Sequence, residues 1–265
     1  MQYEKFIGRV FLTILMIVLL SRDADARVTA ILGGTLISPD MPGPVENSVI
    51  LVEGNKIGRT GKAGDVAIPR GAEVIRAQGK WIIPGLVDGH VHFFQSGSLY
   101  TRPDVIDLRK HRPYKEEISW TREHLLDTFT RYISSGVTSV VDMGGPVWNF
   151  EVREAAKRAS RAPRVAVAGP LISTYQPTEL TTEDPPILKV SSPDEARAEV
   201  KRQVKLKPDF IKIWFILLPG HDPKDYLPLI EAVIEESHRE GIRVAVHATE
   251  LETARVAVGA GADIL

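Results

Sequence analysis

Apolar and polar residues follow one rhythm in the first part of the chain and another in the rest. From Val28 to about Ile83, short apolar runs alternate with turn residues: Val28–Leu32, residues 35–37, 49–52, 74–77 and 81–83, with Gly33-Gly34 and a Pro/Gly loop at residues 39–44 between them. Glu53-Gly54-Asn55-Lys56 reads as a hairpin turn into Ile57. Short runs with this punctuation predict a small antiparallel sheet or half of a sandwich.

After Pro84 the rhythm becomes strand then helix. Residues 86–92, 137–143, 164–168, 210–215 and 242–247 are near-continuous apolar runs, as expected of parallel strands buried on both faces. Between them, Leu125, Phe129 and Ile133 form one helical face and Leu227, Ile230 and Ile234 another. Ser192-Pro193-Asp194-Glu195 offers an N-cap, a first-turn proline and a capping-box Glu. Asp222-Pro223 opens the next helix, Gly241 stands where it ends, and Thr249-Glu250-Leu251-Glu252 suggests another capping box that makes Glu250 the first helical residue. Repeated βα units predict a parallel sheet with right-handed crossovers, either a barrel or an open doubly wound sheet. No glycine-rich nucleotide loop follows any strand, which weighs against the open nucleotide-binding form. Two long connections, residues 93–119 and 169–191, follow the carboxyl ends of strands, where a βα barrel carries its active site.

Composition narrows the chemistry. A formal net charge of −1 over 265 residues gives no field for nucleic acid or an anionic membrane surface. The absence of cysteine excludes disulfides and thiolate zinc sites, leaving His, Asp, Glu and Lys as ligands. Lys5 and Arg9, an apolar run over residues 10–20 and Ala24-Asp25-Ala26 form the pattern of a secretory signal peptide. The run falls short of the roughly 20 apolar residues of a membrane span, although an uncleaved anchor is the alternative. The expectation is an exported protein, periplasmic or extracellular, with a signal peptide at 1–26, a β portion at 27–83 and a barrel portion at 84–265.

Within the second region, His90-Val91-His92 closes the first strand. Residues i and i+2 of a strand face the same way, so both imidazoles can turn onto one ion, or they can simply be two histidines on a polar strand edge. Lys212 lies inside the apolar run 210–215, where burial favours loss of its proton unless a carboxylate pairs with it. His247 ends another apolar strand and would by itself be a satisfied core histidine. Asp142, at the end of residues 137–143, can support a neighbouring ligand or cap the turn that follows. His111, His124, His221 and His238 carry less information; His238 falls in the last turn of a helix and His221 on a loop.

Pro84-Gly85-Leu86-Val87-Asp88-Gly89-His90-Val91-His92 resembles the first-strand signature of the metal-dependent amidohydrolase superfamily, in its imidazolonepropionase and prolidase-like branch. Residues 136–145, 210–214 and 244–248 resemble its second, fourth and fifth strands, and the region before Pro84 is similar to its N-terminal share of a β-sandwich. The resemblance implies an α/β fold, a (β/α)8 TIM-type barrel preceded by part of a small sandwich. It implies one or two divalent ions, usually zinc, with His90 and His92 on one, a carboxylated Lys212 as bridge and His247 on the second. The implied reaction is hydrolysis of an amide, cyclic amide or dipeptide C–N bond by metal-activated water. His247-Ala248-Thr249-Glu250 also matches the His-x-x-Glu of mononuclear deaminases in the same superfamily. The family's sixth-strand histidine and eighth-strand aspartate have no counterpart up to Leu265, and too few residues follow Pro84 for a barrel of about 250 residues. That departure makes an incomplete barrel, and a non-catalytic remnant of low solubility, the alternative expectation. Its unpaired strand edges would invite pairing with another chain, and hence oligomers.

Overall fold

The computed structural model describes residues 28–265; the expected signal peptide lies outside the described residues. The chain divides into two compact units between Pro84 and Gly85.

The first unit contains β1 (Val28–Leu32), β2 (Thr35–Leu36), β3 (Ser48–Glu53), β4 (Lys56–Lys62), β5 (Glu73–Arg76) and β6 (Trp81–Ile82). One sheet has the order β4-β3-β1-β5, and β2 pairs with β6. The Gly54-Asn55 turn joins β3 to β4 with Gly54 at φ +61°, a conformation glycine adopts without strain. β3 is antiparallel to β1 and β4, but β5 is parallel to β1, so the sheet is mixed and not the antiparallel one its turn pattern suggests. The cause is the connection over residues 63–72, which carries the chain from β4 at one edge to the opposite edge; a crossover, unlike a hairpin, can deliver a parallel strand. Ala30, Val49 and Leu51 form the buried centre of this sheet.

The second unit is α/β. Its elements are β7 (Leu86–Val91), α1 (Tyr114–Glu123), α2 (Leu125–Ser134), β8 (Val137–Asp142), α3 (Asn149–Arg158), β9 (Arg164–Val167), β10 (Leu171–Ser173), β11 (Ile187–Lys189), α4 (Pro193–Val204), β12 (Ile211–Trp214), α5 (Leu227–Arg239), β13 (Val244–His247) and α6 (Leu251–Gly259). All its strand pairings are parallel, in the orders β7-β8-β9 and β11-β10-β12-β13. The connection over residues 169–191, expected as a loop, holds β10 and β11; three-residue strands are too short to leave a period-2 pattern. In the other long connection α1 starts at Tyr114, earlier than expected, because its buried face carries Glu117 and Thr121 and so shows no apolar stripe.

The core follows strand parity. Ile211 and Ile213 of β12 and Val244 and Val246 of β13 belong to one buried cluster with Val200 of α4 and Ile230, Val233 and Ile234 of α5. Each such side chain contributes about 1.5–3 kcal/mol by leaving water. The helix ends are fixed locally. Ser192 Oγ accepts from the Glu195 amide at 3.2 Å, and the Glu195 carboxylate accepts from the Ser191 amide at 2.8 Å. Asp222 and Asp225 cap each other's amides ahead of α5, and Gly241 follows it at φ +72°. The expected Thr249–Glu252 box does not form: Glu250, in extended geometry, itself takes the N-cap place, so Thr249 lies one residue too early. Among the described residues no helix is long and apolar enough to cross a membrane.

Candidate metal centre

His90 of β7 and His92, one residue past its end, turn toward each other, and their Nε2 atoms stand 3.3 Å apart. Two nitrogens at about 2.05 Å from one tetrahedral ion would be separated by roughly 3.3 Å, so the pair fits a single zinc-like ion. His92 Nδ1 lies 2.7 Å from the Gly144 carbonyl. A carbonyl only accepts, so Nδ1 carries the proton and Nε2 keeps its lone pair free to bind. Gly144 is required there: it sits at φ +106°, and a Cβ would come within 2.8 Å of the Gly169 carbonyl.

The strands β12 and β13 supply the other two expected ligands. Their parallel register aligns Lys212 with Ala245 and Trp214 with His247, so Lys212 and His247 share the face opposite the apolar one. His90, His92, Lys212 and His247 all open onto a cavity of about 310 Å³. Leu171, Leu180 and Ile187 supply apolar wall. Arg102 and Asp104 also line it, joined by two hydrogen bonds of 3.2 and 3.1 Å. Neither was marked in the sequence, where the long connection before α1 offers no periodic pattern to single them out.

The electrostatics keep the donors in a binding-competent state. Burial, reinforced by the Lys212 charge, lowers the pKa of His90, and the same two causes followed by His90 lower that of His247. Burial takes His92 down to about 4 against the opposing Gly144 hydrogen bond, so all three imidazoles are neutral at pH 7. Burial alone takes Lys212 down to about 8. Its side chain is 3% exposed, and no ion pair holds its charge among the described residues, unlike the core lysine paired with a carboxylate that was the alternative.

The remaining candidates fall elsewhere. Glu250 is exposed and accepts from Thr253 Oγ1 at 3.2 Å, outside the cavity lining, so the geometry does not favour the His-x-x-Glu deaminase arrangement. His238 is held by Asp263 at 2.9 Å, and His124 stacks on Trp120 with centroids 4.2 Å apart. His221 packs on Tyr226, and neither it nor His111 lines the cavity. Among the described residues no three His, Asp or Glu groups converge as a metal cage.

A model of the amidohydrolase family matches residues 81–263. A dihydroorotase of Pelotomaculum thermopropionicum is 40% identical over 65 residues, 24% of this chain and 14% of that protein. An imidazolonepropionase of Hyphomonas neptunium is 37% identical over 82 residues, 29% of this chain and 20% of that one. A Xaa-Pro dipeptidase structure with methionine bound in its active site superposes with a TM-score of 0.68 at 25% identity, covering 89% of this chain and 60% of the other. The chain therefore matches at most a fifth of these curated relatives and under two thirds of the solved one.

Proposed function

Since the chain belongs to the amidohydrolase family, we propose that it serves an exported, metal-dependent hydrolase that opens an amide or related C–N bond of a small molecule, linear or cyclic. On this proposal β7 to β9, β12 and β13 are strands of a (β/α)8 barrel, incomplete within these residues, and the first unit is a portion of a β-sandwich. His90 and His92 would hold one ion, zinc by the chemistry of the donor set. Lys212, whose unprotonated amine nitrogen can bond the carbon of carbon dioxide and release a proton, would with His247 hold a second ion. Bound metal supplies a Lewis acid for the scissile carbonyl and lowers the pKa of water at the site.

The protein's own groups prepare that chemistry. The Gly144 carbonyl fixes the His92 tautomer. A Lys212 pKa of about 8 leaves roughly a tenth of the amine unprotonated at pH 7, the form that can take up carbon dioxide. The apolar wall limits water around it. The 3.3 Å approach of the two Nε2 atoms carries the proposal.

Metal content tests it. After incubation with zinc and dialysis, the full chain is expected to retain at least one ion, and a His90→Ala/His92→Ala double variant none. A dialysed wild-type chain without zinc would overturn the proposal. Hydrolysis of a panel of N-acyl amino acids, dipeptides and cyclic amides, suppressed by a chelator, would then identify the substrate.

A further inference from the structure

Asp142 closes β8 as a fully buried carboxylate without an ion-pair partner among the described residues. Its Oδ1 accepts from the Gly144 amide at 3.2 Å, its Oδ2 accepts from Asn149 Nδ2 at 2.7 Å, and the Phe93 amide donates to the same carboxylate. Phe93 directly follows His92, and Gly144 carries the carbonyl that receives the His92 proton. A single carboxylate thus ties down the backbone on both sides of one hydrogen bond, the strand that bears the donor and the turn that bears the acceptor. Asn149, buried in the first turn of α3, steadies the carboxylate from behind while its own Oδ1 has no partner. Gly145 makes the room: a Cβ there would lie 2.5 Å from Asn149 Nδ2 and 2.6 Å from the Phe94 ring.

We propose that Asp142 and Asn149 are positioning residues that act through the Gly144 peptide, holding His92 in its Nδ1–H tautomer and aiming its Nε2 at His90. What Asp142 contributes is acceptor geometry. Asp142→Asn keeps the acceptor for the Gly144 amide, and Asn149 can turn its unpartnered Oδ1 toward the new N–H. Asp142→Ala removes the acceptor. The consequence for metal binding rests on the proposed function, but the tautomer does not.

The test is nitrogen NMR of the full chain labelled at histidine, without metal, with circular dichroism to verify folding. Wild type and Asp142→Asn are expected to show His92 as the Nδ1–H tautomer; Asp142→Ala and Asn149→Ala are expected to show a mixture. Zinc affinity should fall by about 10–100-fold in the two alanine variants, the usual cost of losing such support. Should Asp142→Ala fail to fold, Gly145→Ala, which displaces Asn149, is expected to give the same tautomer mixture in a folded chain. A pure Nδ1–H tautomer in folded Asp142→Ala or Asn149→Ala overturns the inference, as does an equal loss in Asp142→Asn and Asp142→Ala. A tautomer shift as expected, in a protein whose wild type takes up no zinc, supports the clamp and overturns the metal-dependent reading instead.

Discussion

β7 and β12 are both apolar segments that carry an expected metal ligand, yet they end in opposite surroundings. Leu86 and Val87 of β7 are 50% and 64% exposed, whereas Ile211 and Ile213 of β12 are 0% and 1% exposed. The difference lies in their neighbours. β12 is hydrogen-bonded to β10 on one side and β13 on the other, and α4 and α5 cover its apolar face. β7 has β8 as its only hydrogen-bonded strand among the described residues. Hydrophobicity marks a segment as able to be buried, and pairing decides whether it is. The candidate centre therefore draws one histidine, His90, from an edge strand and a lysine, Lys212, from an interior one.

Core truncation should separate the two regions most widely. Ile213→Ala and Ile230→Ala, which empty fully packed positions, are expected to cost about 2–5 kcal/mol in denaturant unfolding. Leu86→Ser and Val87→Thr should change stability by less than about 0.5 kcal/mol, with improved solubility because an apolar strand edge is blunted. A large loss from the β7 variants would show that this edge is covered in solution and would break the comparison.

Lys212 gives a pH-dependent version of the same contrast. Burial lowers its pKa from 10.5 to about 8, so between those values the unfolded chain binds more protons than the folded one and stability rises with pH. The penalty is fully present below about pH 8 and relieved by about pH 10.5. Lys212→Met is therefore expected to stabilise the metal-free chain by at most about 3 kcal/mol at pH 7, with the advantage over wild type shrinking toward pH 10.5. An advantage independent of pH would show that Lys212 is not desolvated. A helix end gives a smaller loss than core truncation: Ser192→Ala should cost about 1 kcal/mol through the lost bond to the Glu195 amide.

Much of this architecture could be read from the chain. The five long apolar runs became β7, β8, β9, β12 and β13, although the continuous burial they suggest is found only in β12 and β13, and His90 and His92 were legible as a pair at the end of the first. Other features left no such trace. β10 and β11 are too short to show a period, and the buried face of α1 is polar. The Glu250 cap displaced the expected Thr249 box because extended backbone geometry at one residue decides where a helix starts. Asn149 reaches Asp142 from seven residues on, across the turn from β8 to α3, and Arg102 with Asp104 join the cavity wall from a connection without regular period, so no periodic pattern marks either pair.

The central claim is that the edge-strand histidines hold an ion beside the buried lysine. Anomalous diffraction at the zinc edge from crystals of the full chain grown with zinc tests it most directly. The account predicts a peak bonded to both His90 Nε2 and His92 Nε2 in the cavity that Lys212 and His247 line. Crystals whose anomalous density lies only elsewhere, with the two imidazoles bonded to each other, would contradict it.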